Sequence, residues 1–414
     1  MRTLPPILAL LALTPAAVAQ SGWSTPRLVT ELNTSASDTA PDLSPDGRTL
    51  HFASSQSGDW EIWSTTRPGR GQPFGPPTRE VGLGSSSTES GPCLRADGLE
   101  ILFESLRSGG QGGFDLMRAT RGSVAAPWNP PTFVTELNSS GSEASASMTG
   151  DGLELYLLST GWGAPYAPNN SIFVAKRPDL QSPFGSPALV TELAASQAST
   201  DPHRDVYIAA DGLRIWFTRY DATLRRLNVF EARRTRRDLQ FGAPAMLSEF
   251  VNVGTSTGVY SVSVSGDGTE MLLAAGFPTG AGAQELLISD FQGVAVSGIA
   301  GGTSAASLVF RDPASAGLGY AFALSGGAGG FALGSRTVPL DLDPILVATL
   351  GADLPALSAG FLGVLDPSGM ATASVRNPAP IFAGIPLWTA AFTLDPAQPF
   401  GIGTISNSFA LRLH

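Results

Sequence analysis

The chain has 414 residues, of which 43% are hydrophobic and 14% charged, with 48 glycines, 32 prolines and a formal net charge of −10. One core does not serve such a length, because cores stop growing near about 250 to 300 residues, so two domains are expected. The Gly and Pro content suits short strands and many turns, and the acidic balance argues against a nucleic-acid partner, which needs a concentrated basic footprint.

At the start, Met1 and Arg2 precede the apolar run from Leu4 to Leu13, and Ala17-Val18-Ala19 supplies the small residues a signal peptidase accepts. Residues 1–19 therefore read as a cleaved signal peptide, and the mature chain is expected to be secreted, periplasmic or on the cell surface. No later apolar stretch reaches the roughly 18 residues of a membrane span, so no transmembrane anchor is expected. Cys93 is the only cysteine. It excludes an internal disulfide and reads as a buried thiol.

From residue 20 the chain repeats. Asp-Gly recurs at Asp46-Gly47, Asp97-Gly98, Asp151-Gly152, Asp211-Gly212 and Asp267-Gly268, at intervals of 51, 54, 60 and 56 residues. Three positions before each Asp stands an apolar residue (Leu43, Leu94, Met148, Ile208, Val264), and others follow four and six positions after it, a period of two that predicts hairpin strands. Gly accepts the positive φ of such a turn, and the Asp carboxylate caps nearby N–H groups. A third strand follows in each unit, beginning at Glu61, Asp115, Ser171, Asn228 and Glu285, and in four units an Arg comes after it: Arg67, Arg121, Arg177 and Arg234. A fourth element, an aromatic-Pro turn and short strand, starts at Phe74, Trp128, Phe184 and Phe241.

The fifth copy of that element lies at the N-terminus, where Leu28-Val29-Thr30-Glu31-Leu32 parallels Phe133-Val134-Thr135-Glu136-Leu137 and Leu189-Val190-Thr191-Glu192-Leu193. The repeat is permuted by one strand. The expectation is an all-β chain: a five-bladed β-propeller over residues 20–292, closed by the N-terminal strand. The run Pro41-Asp42-Leu43-Ser44-Pro45-Asp46-Gly47, followed by Gly58-Asp59-Trp60-Glu61-Ile62-Trp63, resembles the WD40-like repeat of bacterial envelope propellers, the TolB type. Ser105-Leu106-Arg107-Ser108-Gly109-Gly110-Gln111 adds to the match. The resemblance covers about residues 23–292 and implies a propeller with a binding or scaffolding role.

Residues 293–414 differ in composition, with no Glu or Lys, four Arg and six Asp. Alternating runs such as Tyr320-Ala321-Phe322-Ala323-Leu324 between Gly-rich turns predict a C-terminal β-sandwich. Phe361-Leu362-Gly363-Val364-Leu365-Asp366-Pro367 is similar to C-terminal modules of exported bacterial proteins, which suggests attachment or presentation.

Chemistry is sparse. Asp38, Glu89 and Glu143 each stand eight residues before an Asp-Gly aspartate, with His203 and Val259 in the corresponding places of units four and five. Equivalent positions converge on one end of a propeller channel, so these three carboxylates are the catalytic candidates, for acid and base roles at a glycosidic bond. Asp201, His203 and Asp205 form one local cluster of polar ligand types, and Arg225, Arg226 and Arg233 belong to a run of eight arginines suited to an acidic polysaccharide. These six are the binding candidates. No metal site is assigned, and no nucleotide fingerprint stands between a strand and a helix, so no cofactor is expected. The leading expectation is a monomeric, non-enzymatic propeller that binds a protein or cell-surface glycan. The alternatives are a carbohydrate-active enzyme working in the channel and an envelope-complex subunit of TolB-like type.

Overall fold

The computed structural model describes residues 22–163, 170–193, 203–234, 236–255, 257–266, 268–276 and 284–291, and beyond them 295–301, 305–312, 315–325, 331–333, 336–338, 340, 358–359, 361–367, 369–376, 386–396, 402–405 and 409–412. Asp201 lies outside these residues.

The first strand, β1, is Arg27–Leu28. Four sheets then follow one another in chain order, each antiparallel and four-stranded. They are β2–β5 (Asp38–Leu43, Thr49–Ser54, Glu61–Thr66, Thr78–Arg79), β6–β9 (Glu89–Leu94, Glu100–Ser105, Asp115–Thr120, Thr132–Phe133), β10–β13 (Glu143–Met148, Glu154–Ser159, Ser171–Lys176, Ala188–Leu189) and β14–β17 (His203–Ile208, Arg214–Asp221, Arg226–Arg233, Ala245–Met246). The fifth comprises β18 (Val259–Val264), β19 (Glu270–Ala275) and β20 (Glu285–Asp290), with β1 as its outer strand in the order β1-β20-β19-β18. Arg27 pairs with Ile288 and Leu28 with Leu287, antiparallel.

The turns form as their residues require. Gly47, Gly98, Gly152, Gly212 and Gly268 have φ of +69° to +74°, which a Cβ disfavours, and the preceding Asp accepts the N–H two residues on at Arg48, Leu99, Leu153 and Leu213. In two of the units an Asn sets the last side: Asn33 bonds both the N–H (2.7 Å) and the carbonyl (3.0 Å) of Leu286, as Asn138 bonds those of Leu116 (2.8 and 3.1 Å).

The innermost strands touch in cyclic order, β2 to β6, β10, β14, β18 and back to β2. The apolar side chains divide accordingly into five cores, each lying between two neighbouring sheets. Phe52, Phe74, Leu272 and Ile288 sit in one; Ile62, Phe103 and Trp128 in the next; then Leu102, Leu157 and Phe173; then Leu158, Phe217 and Phe230; and finally Trp216, Val262 and Leu273. Middle strands such as β11 and β19 are buried along their whole length because both their faces meet a neighbouring sheet. This is the arrangement of a β-propeller.

Beyond Phe291 lie β21 (Ala295–Gly301), β22 (Ala305–Arg311), β23 (Gly319–Ser325), β24 (Phe331–Leu333), β25 (Arg336–Val338), β26 (Ser358–Ala359), β27 (Leu362–Val364), β28 (Met370–Arg376), β29 (Pro386–Leu394), β30 (Ile402–Ile405) and β31 (Phe409–Arg412). One sheet runs β21-β22-β28-β26 and another β27-β23-β29-β30, with β31 on β29 and a separate β24-β25 hairpin. Leu308, Phe310 and Val375 of the first sheet share a core with Phe322, Leu324 and Ala391 of the second.

Candidate functional site at the propeller axis

Asp38, Glu89 and Glu143 begin β2, β6 and β10, with His203 and Val259 beginning β14 and β18. All three carboxylates are fully buried. Each is held by the loop that leads into its own strand and by the strand beside it. Glu89 accepts from Ser85 N (2.9 Å), Ser85 Oγ (2.6 Å) and Ser105 Oγ (2.9 Å), with Arg107 at 3.1 Å. Glu143 accepts from Ser139 N (2.8 Å), Ser139 Oγ (2.6 Å) and Ser159 Oγ (2.7 Å). Asp38 accepts from Thr34 N (2.9 Å) and Oγ1 (3.2 Å), and burial raises its pKa. The three sites are thus copies of one loop clasp, a hydroxyl residue four positions before the acid and a serine sixteen after it. The hydrogen bonds of each stay within its own blade.

Two residues further along, at the mouth of the axis, the bulge of the inner strands brings Ser145 beside two acids. Glu104 of β7 accepts from Ser145 N (3.2 Å), and the Ser145 side chain meets Asp205, whose Oδ2 also accepts from Val262 N (2.6 Å). Burial pushes Asp205 up to about 8, with a smaller push from the Glu104 charge, and burial also raises Glu104. That shift favours the protonated form of Asp205 near neutral pH. Glu104 was not foreseen from sequence, because it belongs to a second strand and meets Asp205 only through Ser145.

At the Asp-Gly end, Asp42, Cys93, Ser147, Tyr207 and Ser263 occupy the same place in the five inner strands, and each is hydrogen-bonded to the backbone of the next blade. Leu94 N–H donates to Asp42 (2.7 Å), Met148 N–H to Cys93, Ile208 N–H to Ser147 (3.0 Å) and Leu43 N–H to Ser263 (2.9 Å), while the Tyr207 hydroxyl donates to the Val264 carbonyl. Burial pushes Asp42 up to about 7 and the Cys93 thiol above its ordinary value. The cavity lined by Asp42, Cys93, Ser147 and Tyr207 is about 30 Å³. That holds a water or two, against the roughly 300 Å³ at which ligand pockets begin.

On the outer side of the same end, four of the five Asp-Gly turns are clamped by the Arg that follows their own third strand. Arg67, Arg121, Arg177 and Arg234 donate from Nε to the carbonyls of Gly47, Gly98, Gly152 and Gly212, all at 2.7 Å, and lie 4.1 to 4.5 Å over Phe74, Trp128, Phe184 and Phe241. Three of them reach a glutamate of the preceding blade: Arg67 to Glu270, Arg177 to Glu100 (2.9 Å) and Arg234 to Glu154 (2.8 Å). In the fifth unit Phe291 stands where the Arg would be, and Arg214, in the glutamate position of blade four, crosses the seam to the Gly268 turn instead. A groove of about 270 Å³ beside Glu154, Lys176, Arg177 and Arg237 is lined by cations that are already paired with Glu154, Glu100 and Asp151.

The remaining candidates scatter. His203 is buried, with Nδ1 3.2 Å from the Asn170 carbonyl and its ring 5.2 Å from Phe217, and burial lowers its pKa to about 4. Arg225 takes a left-handed φ of +55° in the β15–β16 turn, and Arg226 donates to the carbonyls of Val253 (2.7 Å) and Thr255 (3.1 Å). Arg233 is at the other end of β16, roughly 23 Å away at about 3.3 Å per residue, paired with Glu231 at 2.7 Å. The hairpin thus carries the run of arginines to opposite ends of the blade.

No family model matches the chain, and no curated protein matches it. Similar solved structures include TolB from Acinetobacter baumannii, at 15% identity, covering 68% of this chain and 53% of that one, with a TM-score of 0.39. A GH62 hydrolase in complex with xylotriose (12% identity, 62% and 92% coverage, TM-score 0.42) and the endo-arabinase of Bacteroides thetaiotaomicron (13%, 64% and 97%, 0.41) are others. The chain matches about half the length of the Acinetobacter TolB. With every one of these TM-scores below 0.5, the propeller assignment stands on the sheet order and seam cores of the chain itself. Among the described residues, no helix is long and apolar enough to cross a membrane.

Proposed function

We propose that this chain is a five-bladed propeller completed by its N-terminal strand, with a β-sandwich over residues 293–414, and that it is an exported, non-enzymatic module that binds a protein or a cell-surface glycan. The pairing of β1 with β20, the cyclic contact of the inner strands and the five seam cores support the ring. The shared core of the two C-terminal sheets supports the sandwich, and the Met1–Ala19 segment supports export. The observation that carries the binding role is how the carboxylates are used. Asp38, Glu89 and Glu143 are buried in loop clasps, and the far end of the axis has room for water alone.

The test is to incubate the mature chain, residues 20–414, with acidic and neutral polysaccharides and with envelope proteins, measuring new reducing ends and retention together. Retention on one of these without new reducing ends is expected. Reducing ends above the protein-free control would overturn the binding role. Glu104 and Asp205 favour a second reading, a carbohydrate-active enzyme working through these two acids, since a carboxyl with a raised pKa beside a second carboxyl is the pairing that glycoside cleavage uses. On that reading Asp205→Asn and Glu104→Gln each abolish release while retention persists.

A further inference from the structure

The hairpin of blade four differs from the others at its loop end. Elsewhere the middle strand stops at the residue facing the first residue of its inner strand: Ser54 opposite Asp38, Ser105 opposite Glu89, Ser159 opposite Glu143 and Ala275 opposite Val259. In blade four Arg219 takes that place opposite His203, and pairing runs on through Tyr220 and Leu227 to Asp221 and Arg226, so the hairpin stands two residues beyond its neighbours. Arg225 closes the turn at φ +55°, a conformation that glycine takes without strain and an arginine does not.

Positive charge is left over here. On the same side of the ring Arg79 and Arg107 are paired with Glu61 (3.4 Å) and Glu89 (3.1 Å). Arg204 and Arg225 are exposed, Arg226 is half-buried, and among the described residues none of the three forms an ion pair. Arg226 is fixed by the carbonyls of Val253 (2.7 Å) and Thr255 (3.1 Å), and burial lowers its pKa with no acidic side chain to offset it. Asp221, which faces it across the hairpin, takes the N–H groups of Thr223 (2.8 Å) and Leu224 (2.9 Å) instead. From His203, the neighbour of Arg204, to Arg226 is two strand spacings and two residue steps, roughly 12 Å between Cα atoms, a gap that two extended arginine side chains bridge.

Three uncompensated guanidinium groups suit a row of carboxylates, each of which the planar fork binds bidentately. A protein partner suits them less, because protein interfaces deplete charge at their centre, and here the centre is charged with Leu224, 43% exposed, as the large apolar side chain of the turn. The chain as a whole carries a net charge of −10, so a polyanion is repelled elsewhere and held here. We propose that the loop-side hairpin of blade four binds an acidic polysaccharide, engaging uronate carboxylates through Arg204, Arg225 and Arg226. This rests on the binding role proposed above and names its ligand class and its face; Arg233, at the far end of the hairpin, takes no part.

The test is binding of the mature chain to immobilised polygalacturonate, to alginate and to the methyl ester of polygalacturonate, which keeps the sugar backbone and removes the charge. Saturable binding to an acid form and not to the ester, weakened about tenfold from low salt to about 0.5 M NaCl, is expected. Arg226→Gln and Arg225→Gly are each expected to weaken it by about fivefold, while Arg233→Gln leaves it unchanged. Arg225→Gly separates binding from folding, since glycine accepts φ +55° and the variant melts close to the wild type. Absence of binding to both acid forms overturns the proposal, as does equal binding to the ester or binding that Arg225→Gly and Arg226→Gln leave undiminished. Retention on a neutral glycan or an envelope protein in the same assay then shows that the binding role survives; loss of all retention removes both.

Discussion

The salt-bridged girdle at the Asp-Gly end makes its strongest claim at Glu100. Its side chain is fully buried and meets three guanidinium groups, Arg95 and Arg118 (2.8 Å) of its own blade and Arg177 (2.9 Å) of the next. Arg177 is 1% exposed and also holds the Gly152 carbonyl. At 2.9 Å and an effective dielectric constant near 20, the attraction of that pair alone is about 6 kcal/mol, most of it offsetting the cost of desolvating two ions. Glu100→Gln keeps the shape and removes the charge, so Arg177 is left buried and uncompensated. The expected loss is about 3 to 5 kcal/mol. Equilibrium urea unfolding followed by fluorescence of the seven tryptophans reads it, with Asp238→Asn, of the exposed Arg236–Asp238 pair, as a control that leaves stability unchanged. Arg177→Met in the Glu100→Gln background recovers part of the loss, because the stranded charge goes with it. A Glu100→Gln loss below about 1 kcal/mol refutes the reasoning, since the girdle would then be surface decoration.

Other expectations follow from the same geometry. Asp205 keeps its proton to about pH 8 in the folded chain but releases it near 4 when unfolded, so between those values the folded state binds the extra proton and stability falls as pH rises; Asp205→Asn removes this slope and gains on the wild type by roughly 1.4 kcal/mol per pH unit within the window, read from melts at pH 5 and 7.5. His203, lowered to about 4, has the opposite sign: its contribution is complete above about 6.5 and is lost as pH falls toward 4, so His203→Gln flattens the acid limb of the melting curve. Asn33→Ala and Asn138→Ala each strand one N–H and one carbonyl and are expected to cost about 2 to 3 kcal/mol; a silent Asn33→Ala beside a costly Asn138→Ala would mean that β1 is not seated. Gly258→Ala drives a Cβ at φ +81° onto the Leu227 backbone, whereas Gly58→Ala at φ +109° meets nothing, so the first lowers the melting temperature by more than the second.

The blades were legible because their signal is local. Each Asp-Gly turn and its flanking apolar residues fit within a dozen positions, and the Val-Thr-Glu-Leu motif at residues 29–32 placed β1 against β20 by its likeness to residues 134–137. The seams were not legible. Glu100, Glu154 and Glu270 stand three positions after each aspartate in plain view, but their partners are 77, 80 and 203 residues away, and nothing local reveals which Arg crosses which seam. The ring of Asp42, Cys93, Ser147, Tyr207 and Ser263 escaped for another reason, since five different side chains do one job and share a position without sharing an identity. The spacing of Asp38, Glu89 and Glu143 marks a repeat, but spacing alone does not distinguish a loop clasp from a pocket.

The two-residue pairing of β1 with β20 also dictates an order of events during synthesis. Arg27 leaves the ribosome about 260 residues before Ile288, an interval of roughly 13 to 50 seconds at about 5 to 20 residues per second. Joining ends that far apart in a disordered chain costs about 5 kcal/mol of loop entropy, more than two paired residues return. Each intervening sheet, once folded, shortens the effective path until the two ends are neighbours. Until then β1 waits with its N–H and C=O groups unpaired, and the half-built molecule presents an open edge that a second nascent copy can fill. Chains that share a polysome are therefore the ones most exposed to exchanging first strands.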